Sequence, residues 1–222
     1  MLALARQGSK EHVVGVLGIA ENMLSGHSYK SGDIVTTMSG KTVEVYDTDC
    51  EGRMVLADIL YLAASRHAPR VIVDLATLTG SSMVALGNFT GALFSNSDAL
   101  AGRLLEASQQ GGDDLWRMPL RDKLFESLKS DIADMKNSGD RYGGSISAAL
   151  FLREFVADTE PAAFDLVTID SPGTRALPLD AGKILGAGLV LCFSIGLALT
   201  MVASGIVAAL SVRHVGKRWS GF

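Results

Sequence analysis

The stretch Asp47-Thr48-Asp49-Cys50-Glu51-Gly52-Arg53 runs straight into Met54-Val55-Leu56-Ala57-Asp58-Ile59-Leu60, so two carboxylates and a guanidinium converge just before an apolar segment. Two readings compete for it. In an extended segment alternate side chains point the same way, which lets Asp49 and Glu51 face one cation while Cys50 turns away. Carboxylate oxygens suit divalent metals, and Arg53 beside them adds a place for an anion, the arrangement that metal-assisted hydrolysis uses. Alternatively, Thr48-x-x-Glu51 is a capping box that opens a helix. Asp49 and Glu51 would then complement the positive end of the helix dipole, with Arg53 solvated in the first turn. Locally the capping reading is the simpler one; the wider sequence reverses that order.

Reading outward, five stretches follow one another in a fixed order: Glu21-Asn22-Met23, the run 31–45 from Ser31-Gly32-Asp33 to Val43-Glu44-Val45, the acidic run above, Asp74-Leu75-Ala76-Thr77-Leu78-Thr79-Gly80, and Ala133-Asp134-Met135-Lys136-Asn137. Gly143-Gly144-Ser145-Ile146-Ser147-Ala148-Ala149 and Phe151-Leu152 extend the pattern. Together they resemble the leucyl aminopeptidase family, whose signature reads N-T-D-A-E-G-R against D-T-D-C-E-G-R here. The resemblance implies paired divalent metals, manganese or zinc, with Asp49 binding one ion and Glu51 bridging both. It also implies bicarbonate held by Arg53 as general base for a metal-bridging water, and a substrate-side loop at Thr77, Leu78 and Gly80. Two metals about 3.5–4 Å apart polarise the scissile carbonyl and hold a free substrate amine, which makes the family exopeptidases acting on peptides. Specificity for leucine-like residues should be broad, because one methylene is worth only about 1–3 kcal/mol. Family members assemble as hexamers in the cytosol.

The chain also departs from the family. The family's lysine ligand, two further aspartate ligands and catalytic lysine fall upstream of Met1, so the sequence reads as a truncated catalytic domain over 1–182, with the likeness ending near Thr168. A non-catalytic remnant, binding metal or another protein, is the rival reading. Asp47 replaces the family's Asn and adds negative charge near Asp49. Cys50 replaces Ala and reads as a small buried filler.

With 222 residues, a formal charge of −4 and a pI near 5.5, nothing in the composition points to nucleic acid. Cys50 and Cys192 are the only cysteines, so a disulfide framework is not expected and a reducing, cytoplasmic compartment is the default. Strand-like runs at 13–19, 42–46, 70–75, 91–94 and 164–169 alternate with helix-periodic runs at 54–67, 100–109, 120–129 and 145–156. That alternation predicts an α/β fold with a central, mostly parallel or mixed sheet flanked by helices, and the acidic signature at a strand's carboxyl end. His12, His27, His67 and His214 lack ligand spacing, Gly139–Gly144 reads as a loop into the helix from Ser145, and no G-x-S-x-G elbow occurs.

The tail, 183–222, is set apart because no charged residue occurs from Ile184 through Val212. By length an apolar C-terminal helix over 184–210 could cross a bilayer, with Arg213, Lys217 and Arg218 on the cytoplasmic side. A buried helix or an altered reading frame would also account for it.

Overall fold

The computed structural model describes residues 6, 8–22, 25–156, 165–172 and 189–194. A six-stranded sheet organises them. Its strands are β1 (Val13–Gly18), β4 (Val71–Ala76), β5 (Thr90–Ser95), β6 (Asp114–Arg117), β8 (Asp165–Asp170) and β9 (Leu189–Ser194), in the spatial order β1-β9-β4-β8-β5-β6. The pairs β1–β9, β9–β4 and β4–β8 are parallel, β8–β5 is antiparallel and β5–β6 is parallel, so the sheet is mixed. A smaller sheet joins β2 (Ile34–Thr36), β3 (Thr42–Glu44) and β7 (Met135–Lys136). The helices are α1 (Glu51–His67), α2 (Gly80–Leu86), α3 (Asp98–Gly111) and α4 (Gly144–Arg153).

Strand alternation sorts the main sheet into two faces. Ile72 and Ala76 of β4 and Leu166 of β8 pack with Leu56, Ala57 and Leu60 of α1, Phe151 and Leu152 of α4, and Val43 and Met135 of the small sheet. Val71, Val73, Val167 and Ile169 turn the other way, onto Leu100, Ala101 and Leu104 of α3. Helix α1 thus bridges the two sheets, burying Arg53, Leu56, Ala57, Leu60 and Ala64 at three- and four-residue spacing. Arg66 and His67 lie at its carbonyl end, where positive charge is favoured. At α4, Gly143 occupies the N-cap at φ 66°, a conformation that glycine adopts freely, and an added Cβ would stand 2.8 Å from Leu124 Cδ1.

Three expectations need correction. The helix expected over 120–129 is a 3-10 turn, Asp122–Leu128, in which Leu124 N donates to Arg121 O at 2.8 Å and the Ser127 hydroxyl bonds back to Leu124 O, competing with longer-range helical bonds. The acidic signature does follow a strand's carboxyl end, but that strand, β3, belongs to the small sheet. Most consequentially, Leu189–Ser194 is a strand between β1 and β4, so a continuous apolar helix over 184–210 does not hold there. A strand with neighbours on both sides in a parallel sheet reads as an unbroken apolar run, which hydropathy alone cannot tell from a buried or membrane helix. The rest of that segment lies outside the described residues. Among those described, no helix is long and apolar enough to cross a membrane.

Candidate functional site

Beyond β3 the chain turns sharply. Asp47 is extended, at φ −129° and ψ 120°, and its Oδ1 accepts from Asp49 N at 3.0 Å, capping a 3-10 turn over Thr48–Cys50. Cys50 N donates to Asp47 O at 3.3 Å, and α1 begins at Glu51. The capping residue is therefore Asp47, not Thr48, and α1 has Cys50 at its N-cap with no side-chain hydrogen bond. Asp49 and Glu51 are presented from a helical turn rather than the extended segment that the alternation argument assumed. They remain neighbours. Burial raises the Glu51 carboxyl above its usual pKa, and the charges of Asp49 and Asp47 push it further the same way, against the Glu51 backbone hydrogen bond and the Arg53 charge. Asn22, from another of the quoted stretches, donates through Nδ2 to Glu51 Oε1 at 3.3 Å.

Arg53 departs most from the local expectation of a solvated side chain, being only 6 % exposed. Its NH1 donates to the Asn137 carbonyl at 2.7 Å, while its Nε has no hydrogen-bond partner. Burial pulls its pKa down, and the charges of Cys50, Asp170, Asp47 and Glu51 oppose that shift. An interior guanidinium with one N–H unsatisfied is a group prepared to receive an acceptor.

The other stretch singled out from the sequence, Thr77 to Gly80, follows β4. Thr77 and Gly80 are exposed, Leu78 is half-buried, and Thr79 caps α2 by accepting from Ser82 N at 3.3 Å. This loop is clamped by Asp170, at the carboxyl end of β8 and 1 % exposed. Asp170 Oδ1 accepts from Leu78 N at 2.7 Å and Thr79 N at 3.1 Å, and Oδ2 accepts from Thr79 Oγ1 at 2.6 Å and Ser82 Oγ at 2.5 Å. Burial raises its pKa and those four bonds hold it back. The charges of Glu51 and of Asp170 both act on the Arg53 guanidinium. Asp170, Asn137 and Tyr29 were not singled out as site residues from the sequence. Tyr29, far upstream, has a buried hydroxyl without a hydrogen-bond partner, and burial followed by the charges of Glu51, Cys50 and Asp47 pushes its pKa up to about 12.

The donor chemistry of Asp49 and Glu51 fits a hard divalent cation, whose charge would relieve the repulsion among Asp47, Asp49 and Glu51. Among the described residues, however, no group of three or more His, Cys, Asp and Glu is placed to hold a metal ion. The pair fits as part of a metal shell, not as a closed two-ion site. Cys50 is half-buried; burial raises its thiol pKa, against the Arg53 charge and a hydrogen bond with the Ser138 side chain. A thiol held protonated is a poor ligand and nucleophile. Cys50→Ala is expected to shift stability by no more than about 1 kcal/mol in urea unfolding and to leave any metal binding unchanged.

The family model described as cytosol aminopeptidase family, catalytic domain, matches residues 1–188. The chain is 51% identical over 166 residues to a probable cytosol aminopeptidase of Bradyrhizobium sp. strain BTAi1, covering 75% of this chain and 33% of that protein. It is 52% identical over 166 residues to a probable cytosol aminopeptidase of Brucella melitensis, covering 75% of this chain and 34% of that protein. Among solved structures, a mutant of tomato leucine aminopeptidase superposes with a TM-score of 0.67 at 41% identity, covering 74% of this chain and 33% of that one. The bottromycin maturation enzyme BotP in complex with Mn gives 0.64 at 43% identity, covering 69% and 33%. The chain spans about a third of the length of these curated relatives.

Proposed function

This chain belongs to the cytosol aminopeptidase family, and from that premise we propose that it carries part of the active site of a metal-dependent aminopeptidase that releases N-terminal residues such as leucine from peptides. The observation that supports the proposal is the buried Arg53 at the start of α1, just after the paired carboxylates Asp49 and Glu51 and bonded to the Asn137 carbonyl. When bound, divalent ions, manganese as in BotP or zinc, would supply an activated water and polarise the scissile carbonyl.

The chain's own residues then divide the work. Asp49 and Glu51 offer hard oxygen donors on the turn, with Asn22 orienting Glu51. Arg53 would hold an anion, bicarbonate by family resemblance, with its charge and the Nε–H that has no partner beside the NH1 bond to Asn137. Its positive charge would position that anion, which would supply the general base, so that Arg53 itself need not exchange a proton. Thr77, Leu78 and Gly80 form the substrate side; Asp170 fixes the backbone of Leu78 and Thr79, so the loop meets a peptide in a set shape. Assembly as a hexamer in the cytoplasm is part of the same proposal.

Exopeptidase chemistry needs the free amine of the substrate. A leucine-first peptide is therefore expected to lose its first residue in the presence of Mn²⁺, and the same peptide acetylated at its N-terminus to survive, as read by mass spectrometry. Cleavage of the acetylated peptide at internal bonds would contradict the proposal.

A further inference from the structure

Resting on the assignment of Asp49 and Glu51 above, we propose that Asn137 is a positioning residue: it holds the acidic turn in the shape that lets those carboxylates take a metal. Asn137 follows β7 and is fully buried. Its backbone N donates to Glu44 O at 3.0 Å, adding one more bond to the β3–β7 pairing just where β3 ends. From there its side chain takes over. Oδ1 accepts from Tyr46 N at 2.9 Å and from Asp47 N at 3.1 Å, and Nδ2 donates to Asp47 O at 2.7 Å. Its own carbonyl accepts from Arg53 NH1 at 2.7 Å. One residue therefore bonds both ends of the signature.

Past Glu44 the backbone turns into the 3-10 segment, and peptide groups that leave a strand must find partners elsewhere. Asn137 supplies them for Tyr46 and Asp47, as an acceptor and a donor at once. An aspartate would lack the donor, and an alanine would lack all three bonds. Asp47 is the pivot: its carbonyl also accepts from Cys50 N, and its carboxylate from Asp49 N. Fixing the Asp47 peptide therefore fixes the direction in which Asp49 and Glu51 leave the turn, the task that outer hydrogen bonds perform around metal ligands. The nearby β3–β7 frame has a separate fastening in Asp134, whose Oδ2 accepts from Thr42 N and Thr42 Oγ1, both at 2.7 Å. That independence supplies a control for general loosening.

The test is amide-resolved NMR of the full 222-residue chain titrated with Mn²⁺, reading paramagnetic broadening at the amides of Asp49, Cys50 and Glu51. Wild type should broaden there and Glu51→Gln should not. Asn137→Ala, folded by circular dichroism, should need about tenfold more Mn²⁺ for the same broadening, while Asp134→Ala should match wild type. Asn137→Ser takes the place of the alanine variant if that one does not fold. Broadening of the Asn137 variant at wild-type Mn²⁺ overturns the inference, as does an equal loss in Asp134→Ala. Equal broadening in wild type and Glu51→Gln sinks the metal assignment itself and the inference with it, a result visible before any Asn137 variant is compared.

Discussion

Asp74→Asn is expected to stabilise the protein by about 2–4 kcal/mol at pH 8 and to leave it within about 1 kcal/mol of the parent at pH 4. Asp74 is wholly buried in β4, opposite Thr168 in β8, on the sheet face that carries Ile72 and Ala76. Thr168 Oγ1 donates to its Oδ2 at 2.5 Å, and its Oδ1 has no hydrogen-bond partner. Burial raises its pKa from 3.8 to about 7, against the Thr168 hydrogen bond and with a smaller push from the Asp170 charge. Below the unfolded value the carboxyl is protonated in both states and costs nothing. As pH rises from about 4 to about 7, the unfolded chain releases this proton and the folded chain keeps it, so stability falls by about 1.4 kcal/mol per unit. Above about 7 the folded group ionises as well and the penalty is constant. An amide of the same shape carries no charge at any of these pH values, so urea unfolding across the range should flatten in the variant. Parallel curves for parent and variant would contradict a buried, proton-bearing Asp74.

Phe151→Ala should destabilise by about 3–5 kcal/mol, a large share of the total for a domain of ordinary stability. Phe151 is fully buried on α4, with its ring centroid 4.9 Å from that of Phe155 at an interplanar angle of 59°. It belongs to the cluster in which Leu56 and Leu60 of α1, Ile72 of the main sheet and Val43 of the small sheet all meet. Its removal opens a cavity where the two sheets and two helices join, and surroundings tied to four elements have little freedom to collapse into it. The urea midpoint should drop with little change in slope. A shift corresponding to less than about 1 kcal/mol would mean that this junction packs loosely.

What the sequence reveals and what it hides follow from the range of the forces involved. The strands near 13–19, 70–75 and 164–169 and helix α1 come from local periodicity, which is why their bounds shift by only a few residues. The short α2 is hidden because Gly80-Ser81-Ser82 looks like loop, although Thr79 and Asp170 satisfy its start. Asp49 and Glu51 are legible as a pair through the family signature, yet their presentation is not, since the 3-10 turn depends on Asp47 and on Asn137, 90 residues away. Asp170 meets Leu78 across 92 positions, a distance that no local pattern reports. The apolar run containing β9 shows the converse problem: strong hydropathy, read without its neighbours β1 and β4, points to the wrong element.

We propose that Asp49 and Glu51, with Arg53, contribute to metal-dependent aminopeptidase chemistry, and hydrolysis of a leucyl-anilide by the purified chain tests this most directly. The reaction is titrated with Mn²⁺ and Zn²⁺ and run beside Glu51→Ala prepared in the same way. The account predicts turnover that rises with metal and disappears in Glu51→Ala. Turnover retained in Glu51→Ala, or absent from both proteins at every metal concentration, would contradict it.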